Sequence, residues 1–448
     1  MINREEIIEA LAPLNFWGRE QYTGIKRKTY ISCLEKLSKV RGKALAIIGV
    51  RRSGKTTILK QFIQEKVSAG AKKEQTLYIN FEDPTFIEYL NARFLDEAYN
   101  AYRALIEKEG KPACIALDEI QNVYCWEKWI RIMQEKRENV CMLITGSSSK
   151  LLSSELATAL TGRALKLTVF PLSFSEFVQF KGDTIEIKQE SDLLVHKERL
   201  RKLLAEYMQY GGFPEVVLSG ETSKLLILKG YFEDIINKDI VTRFGVKNAK
   251  QTKVIAEMAI NSFSSLLSAN SLRKTLTEIF NKKISPNTIV NSLGYLEDAQ
   301  LVFYNPLLSY KVKEQKLYPK KAYCIDPGLV NAVSLFGKNL GRLYENIVAV
   351  ELKRLGKEVY YWKNSSGKEV DFVVKEGTAV KKLINVCYDI SKAETKKREI
   401  SGLLAAMEEF RLKEGTIITE NYEAQEVVEK KKVIYVPLWK YLLRHGFV

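Results

Sequence analysis

Gly49-Val50-Arg51-Arg52-Ser53-Gly54-Lys55-Thr56-Thr57 decides how this chain is read. It follows the apolar run Ala44 to Ile48 and precedes a helical stretch beginning near Thr56, so a buried strand enters a glycine-rich turn that opens a helix. That is the P-loop pattern in its required context. Glycines let backbone N–H groups wrap phosphate oxygens, Lys55 reaches the β- and γ-phosphates, and Thr56 offers a hydroxyl to magnesium. Gly49, Arg52, Ser53, Gly54, Lys55, Thr56 and Thr57 are therefore the expected nucleotide-binding residues, with ATP and Mg2+ as ligands.

Further along, Cys114-Ile115-Ala116-Leu117-Asp118-Glu119 is an apolar strand ending in two adjacent carboxylates. Successive residues at a strand end point different ways, so Asp118 can serve the magnesium shell while Glu119 polarises a water against the γ-phosphate. A third strand, Met142-Leu143-Ile144, delivers Thr145-Gly146-Ser147-Ser148, and Thr145 is the expected γ-phosphate sensor. Apolar runs at Ala44 to Ile48, Leu77 to Phe81, Ala113 to Leu117, Val140 to Ile144 and Leu165 to Val169 alternate with helical stretches. Such alternation predicts an α/β fold with a doubly wound parallel sheet.

The rest of the chain has two further textures. Three helical patterns (Ile255, Met258, Ala259 and Phe263; Leu272, Leu276 and Ile279; Ile289, Leu293 and Leu296) are followed by strand-like segments at Leu301 to Pro306 and Tyr318 to Ile325. Ser285 and Pro286 mark the third helix as N-cap and first residue. This is the order of a winged helix-turn-helix, whose third helix would offer Asn287, Thr288 and Asn291 to DNA. The wing would add Lys311, Lys313, Lys316, Lys320 and Lys321, with Tyr310 and Tyr318 among them. Contacts made by lysine to phosphate give affinity with little sequence preference. Beyond Gly337, a helix, three strands, a long helix from Lys392 to Phe410 and two more strands predict a second α/β domain.

Composition narrows the chemistry. In 448 residues there are 70 Lys+Arg against 54 Asp+Glu, a net charge of +16, and only two histidines. Histidine-based metal centres and Ser-His-Asp triads lack material, and the positive excess points to an acidic partner. Cys33, Cys114, Cys125, Cys141, Cys324 and Cys387 form no zinc-ligand spacing and read as free thiols of a reducing, cytoplasmic compartment. No apolar run exceeds strand length, so no membrane association is expected.

Together with the P-loop, six motifs resemble one family: Tyr78-Ile79-Asn80-Phe81-Glu82-Asp83-Pro84, Asp118-Glu119-Ile120-Gln121-Asn122, Trp126-Glu127-Lys128-Trp129, Thr145-Gly146-Ser147-Ser148-Ser149, Thr161-Gly162-Arg163 and Pro171-Leu172-Ser173-Phe174. It is the archaeal and bacterial AAA+-type ATPases with a C-terminal restriction-endonuclease-like domain. The resemblance implies an ATPase core over 1–180, a helical lid over 181–245, a winged helix-turn-helix over 246–335 and the nuclease-like domain over 336–448. It also implies a homo-oligomer such as a hexameric ring, in which Arg163 faces a neighbour's γ-phosphate. In Tyr210-Gly211-Gly212-Phe213-Pro214-Glu215, Pro214 would lie near the adenine base.

Nucleases of the restriction type need an acid and a later Glu-x-Lys, often with an earlier helical glutamate. The resemblance assigns Glu345 and Asp371 to two of these places. Where Glu-x-Lys should fall the chain has Asn385 and Cys387, so the domain is expected to be degenerate. Lys382, on an adjacent turn, is the candidate substitute for the missing lysine. Lys392, Lys396, Lys397 and Arg398 are kept as a second DNA-binding surface. The function expected is ATP hydrolysis coupled to DNA remodelling or translocation, the alternatives being a nucleotide-gated switch that binds proteins and an ATP-dependent nuclease.

Overall fold

Strands β1 (Ala44–Gly49), β2 (Thr76–Asn80), β3 (Cys114–Asp118), β4 (Cys141–Ser147) and β5 (Ala164–Val169) lie in the order β2-β3-β4-β1-β5, every pairing parallel. This comes from a computed structural model that describes residues 3–107, 112–136, 140–147, 162–182, 195–334 and 339–445. Side chains along β1 alternate between two buried clusters, Ala44, Ala46 and Ile48 in one and Leu45 and Ile47 in the other. A strand buried on both faces needs apolar residues at consecutive positions, as its sequence has. The helices are α1 (Arg4–Leu11), α2 (Lys28–Leu37), α3 (Lys55–Ser68), α4 (Ala92–Leu105) and α5 (Trp126–Lys136). Residues of α1, α4 and α5 fill the first cluster; α2 and α3 fill the second. The parallel α/β sheet expected from sequence is present, with α1 and α2 added ahead of it.

The chain divides into two compact units, Met1–Val169 and Phe170–Val448. The expected boundary near residue 180 therefore falls inside the second unit: α6 (Phe174–Phe180) packs against α7 (Lys197–Tyr210) and α8 (Pro214–Leu218). The charged insert read around residues 181–197 lies mostly outside the described residues. Then come α9 (Glu221–Asp234), continued by a π-helical stretch over Ile235–Thr242, and α10 (Ala249–Asn261).

Next in order are β6 (Ser265–Leu267), α11 (Ala269–Phe280), α12 (Pro286–Asp298), β7 (Val302–Asn305), α13 (Val312–Leu317) and β8 (Lys320–Cys324). The strands form an antiparallel sheet in the order β6-β8-β7. Sequence reading expected two strands here; three residues of β6 are too few to show a period. Ser285 and Pro286 stand where expected, although the Ser285 side chain makes no capping bond.

After α14 (Pro327–Val333) and α15 (Leu340–Arg354), β9 (Glu358–Lys363), β10 (Glu369–Glu376) and β11 (Ala379–Val386) precede α16 (Ala393–Glu409). Three strands follow instead of the expected two, β12 (Glu414–Thr419), β13 (Ala424–Val428) and β14 (Lys431–Pro437), then α17 (Leu438–His445). The six-stranded sheet runs β13-β14-β12-β11-β10-β9 and is mixed. The extra strand, β13, lies at an edge, and its sequence Ala424-Gln425-Glu426-Val427-Val428 has no apolar run long enough to read as a strand.

One buried carboxylate ties the helical segment of this unit together. Asp326, ahead of α14, accepts at Oδ1 from the Gly328 N–H (2.8 Å) and at Oδ2 from the Gly212 N–H (2.7 Å). Burial pushes its carboxyl up to about 6, while the N–H donors pull the other way. Asp326→Ala removes a helix cap and strands buried N–H groups, so the urea unfolding free energy should fall by about 3 kcal/mol.

Candidate functional site

The loop after β1 turns on two residues with positive φ, Arg52 (68°) and Gly54 (94°), and α3 starts immediately afterwards. Lys55 is buried, its Nζ donating to the carbonyls of Gly49 (3.1 Å) and Val50 (3.3 Å). Ser53 is fully buried and its hydroxyl has no hydrogen-bond partner. A buried, unsatisfied hydroxyl is costly unless a ligand completes it, and this one lies in a loop of the kind that cradles phosphate. Arg52, Thr56 and Thr57 are exposed around the same loop.

The strand order brings the next residues here. Because β4 lies between β1 and β3, the C-terminal ends of the three strands are adjacent. Asp118, buried at the end of β3, accepts at Oδ2 from the Thr56 hydroxyl (2.7 Å) and the Tyr78 hydroxyl (2.9 Å), and at Oδ1 from the Thr145 hydroxyl. Thr145 in turn accepts from the Glu119 N–H at 3.0 Å. Thr56 and Asp118 together present hard oxygen donors of the kind magnesium prefers. They fit the ion as a pair completed by nucleotide phosphates rather than as an all-protein cage, since no group of three or more His, Cys, Asp or Glu among the described residues could hold a metal.

Glu119 sits in the left-handed region, φ 53°. A non-glycine residue held there carries backbone strain that surrounding structure must offset. Burial, and to a smaller extent the charges of Asp118 and Glu82, raise its carboxyl above the usual range, against the opposing pull of Lys55 and the Gln121 amide. Tyr78, the first residue of the Tyr78–Pro84 motif, has a role that its sequence context does not announce. Burial and Asp118 raise its hydroxyl pKa, so it stays a donor. Its signal was a tyrosine in the strand beside the acidic one, where β2 pairs Asn80 with Asp118.

Arg163 is elsewhere in the unit. It precedes β5, whose Ala164 pairs with Ala44 while Val169 pairs with Gly49, so it lies at the opposite sheet edge, roughly 16 Å of strand from the phosphate loop. Its guanidinium bonds Glu135 at 3.0 Å. Ser148 and Thr161, from the same motifs, lie outside the described residues. Pro214 opens α8 in the second unit, just after the Gly211–Gly212 turn clasped by Asp326.

In the second unit, Asn287, Thr288 and Asn291 are exposed along α12. Lys311, Lys313 and Lys316 are exposed on or beside α13, with Lys311 paired to Glu314 at 3.0 Å. Lys321 is not part of that surface. Consecutive strand residues face opposite ways, and Lys321 points inward, its Nζ lying 3.1 Å from Glu345, 2.8 Å from Glu369 and 2.8 Å from Asp371.

This corrects the reading of the terminal domain. Glu345 and Asp371 do meet, in a cleft of about 780 Å³ that also includes Arg342, Arg398 and Glu399. The cation among them is Lys321 from β8, while the proposed substitute Lys382 is exposed on β11. Asn385 accepts from the Asp371 N–H (3.2 Å) and donates to Glu399 (2.9 Å). Cys387 is buried, and burial pushes its thiol up to about 12, so it supplies no charge. Burial and the neighbouring Asp371 push Glu345 up to about 8 even with Lys321 and Tyr323 opposing. An ammonium fills the space between the carboxylates, and the residues as they stand do not fit a metal. Of the second expected basic surface, Lys396 is paired with Glu426 at 2.5 Å and Arg398 with Glu399 at 2.7 Å.

The family model described as an AAA domain matches residues 41–178. Two models described as domains of unknown function, DUF8612 and DUF4143, match residues 201–340 and 340–441. An uncharacterized protein of Methanocaldococcus jannaschii is 38% identical over 414 residues, covering 90% of this chain and 89% of its own length. One of Haemophilus influenzae is 32% identical over 401 residues, covering 88% and 93%. Among solved structures, the Walker-type ATPase of Pyrococcus abyssi aligns with 69% of this chain and 95% of its own at 14% identity and a TM-score of 0.45. Among the described residues no helix is long and apolar enough to cross a membrane.

Replacing Lys321 by Met leaves its carboxylates facing one another, and breaking a buried ion pair costs about 3 kcal/mol or more. The carboxylates then hold protons more tightly folded than unfolded. Stability of the variant should therefore fall as pH rises from 5.5 to 8, more steeply than in the parent, in paired urea titrations.

Proposed function

The chain belongs to the AAA-domain family represented by those archaeal and bacterial relatives, and from this premise we propose that it is a magnesium-dependent ATPase that binds DNA and couples turnover to DNA remodelling or translocation. The observation that carries the reading is the convergence of the Thr56 and Thr145 hydroxyls on Asp118, with Glu119 held beside it in a strained backbone. In this reading the phosphate loop binds the triphosphate and Lys55 swings from the Gly49 and Val50 carbonyls to neutralise charge on the β- and γ-phosphates. Thr56 and Asp118, together with the nucleotide, would hold magnesium, which when bound would supply further charge neutralisation at the phosphates.

Glu119 accepts a proton from the attacking water, and burial, by raising its carboxyl, makes it a stronger base than an ordinary carboxylate. Thr145 couples the two acids: one hydroxyl donates to Asp118 and accepts from the Glu119 backbone. Arg163, too far along β5 to serve its own loop, would leave Glu135 to reach the site of a neighbouring copy. Such a finger is worth on the order of 10³-fold in rate, which makes a homo-oligomer, such as a hexameric ring, part of the proposal.

For DNA, we read α10 to β8 as a winged helix-turn-helix. Three helices and a three-stranded antiparallel sheet support it, with α12 as the groove-facing helix and α13 on the wing. Asn287, Thr288 and Asn291 would contact bases or phosphates, and Lys311, Lys313 and Lys316 the backbone. The terminal domain would be a non-cleaving, restriction-endonuclease-like fold, its acid cluster occupied by Lys321. A second reading has its own support: Val290 and Leu317, exposed at 58% and 71%, line one cavity, an apolar surface suited to a protein partner of a nucleotide-gated switch.

Glu119→Gln should keep ATP binding while hydrolysis falls by about 10²-fold or more. In the parent, kcat should decline as pH falls through the raised Glu119 pKa, so the acid limb lies above the ordinary carboxylate range; normal turnover in the variant would reassign the base. Changing Lys311, Lys313 and Lys316 together to Ala should weaken binding to duplex DNA and flatten the salt slope by roughly 2–3, with basal hydrolysis unchanged. Turnover accelerated by a protein partner and by no DNA would favour the switch.

A further inference from the structure

Arg27 lies just before α2 and is 2% exposed. Its guanidinium packs 4.4 Å from the centre of the Tyr30 ring, and Nη1 donates to the Ser53 carbonyl at 2.9 Å. That carbonyl belongs to the peptide linking Ser53 to Gly54, inside the phosphate loop. In a planar trans peptide the C=O and the following N–H point in opposite directions. A guanidinium that holds the Ser53 carbonyl to one side therefore turns the Gly54 N–H to the other, away from Arg27.

The segment carrying Arg27 is itself fastened to the helix that the loop opens. Gln61, on α3 and 3% exposed, donates through Nε2 to the carbonyls of Thr23 and Ile25, both at 2.8 Å, and accepts at Oε1 from the Arg27 N–H at 3.1 Å. Only an amide side chain both donates twice and accepts in this way. Thr23 and Lys26 add contacts to Gln64 and Glu65, one turn further along α3. The chain thus closes a circuit: α3 holds the segment Thr23–Arg27, Arg27 holds the loop, and the loop runs into α3. Within it the Ser53 hydroxyl is buried without a partner, which marks a loop completed by a ligand.

We propose that Arg27 is a positioning residue for the triphosphate, orienting the Ser53–Gly54 peptide so that the Gly54 N–H is presented to the nucleotide's phosphates. The inference rests on the nucleotide-binding reading of this loop. Arg27 touches no reacting atom; it fixes the loop's donor in the geometry that ground state and transition state share. Its loss should therefore weaken nucleotide binding and leave the chemical step largely intact.

The test uses the full chain, fluorescent mant-ATP with magnesium for binding, steady-state hydrolysis of ATP, and a melting curve without nucleotide. For Arg27→Met, the dissociation constant and KM should rise about tenfold or more, as the loss of a charge-assisted hydrogen bond implies, with kcat changed less than about threefold. Arg27→Lys, which retains charge without the planar fork, should fall between variant and parent. If Arg27→Met melts far below the parent, Arg27→Lys and Gln61→Glu serve instead, each expected to raise KM by a smaller factor with kcat little changed. Parent-like KM in variants that fold, or a collapse of kcat at constant KM, overturns the positioning role. A parent chain that binds no mant-ATP overturns the nucleotide-binding reading and this inference with it.

Discussion

Asp118 is 1% exposed, and the first unit is arranged around making that tolerable. A buried carboxylate is costly unless paired or hydrogen-bonded, and here three hydroxyls from three elements meet it: Thr56 from α3, Tyr78 from β2 and Thr145 from β4. Only a sheet with β3 flanked by β2 and β4, and with β1 beyond β4, brings those elements to one edge. The same acceptor that demands the hydroxyls is the group whose charge a magnesium nucleotide would use. Structural satisfaction and ligand chemistry therefore share one set of atoms, and the site's readiness follows from the sheet order rather than from any single motif.

Local patterning made much of this legible. Each core strand carries a short apolar run, and the glycines and acids stand at run ends, where a parallel sheet places its ligands. What escaped was whatever depends on partners distant in sequence. Arg27 and Gln61 show no period and no motif; their meaning arises when α3 and the segment before α2 lie side by side. Lys321 was read with its neighbours as part of a basic wing because a strand of five residues with two lysines looks like a solvated edge. In the fold, Lys320 is exposed and Lys321 buried, so two adjacent, identical residues have opposite fates decided by the pleat alone. The terminal domain shows the converse error: a missing lysine was sought near Asn385 and Cys387, whereas space is filled by whichever segment the tertiary structure brings there.

The net charge of +16 reads differently in this light. Lys224 and Lys440, both nearly buried, are committed to Glu206 and Glu423; Lys396 is committed to Glu426, and Lys321 to three carboxylates. Cations spent in this way hold the second unit together and offer nothing to an external polyanion. Removing such pairs takes away an acid with each cation and leaves the excess as it was, so the count bears on partners only through cations that are exposed, among them Lys313, Lys316 and Lys320.

Strand β8 joins the two roles. It pairs with β6 and β7 in the three-stranded sheet, next to α13 and its lysines, while Lys321 extends from its other face to Glu345 on α15 and to Glu369 and Asp371 on β10. Tyr323, two residues on and on the same face, adds a 2.8 Å bond to Glu345. A displacement of β8 relative to the terminal sheet would pull a buried ammonium away from three carboxylates, and separating a buried charge from its partners is expensive. The helix-rich segment and the terminal six-stranded sheet are thereby tied together through β8, alongside contacts such as the Arg342 guanidinium on the Phe263 carbonyl and the Leu308 N–H on the Tyr361 carbonyl. The acidic cleft and the three-stranded sheet therefore share β8, and whatever displaces that strand must also disturb the Lys321 contacts.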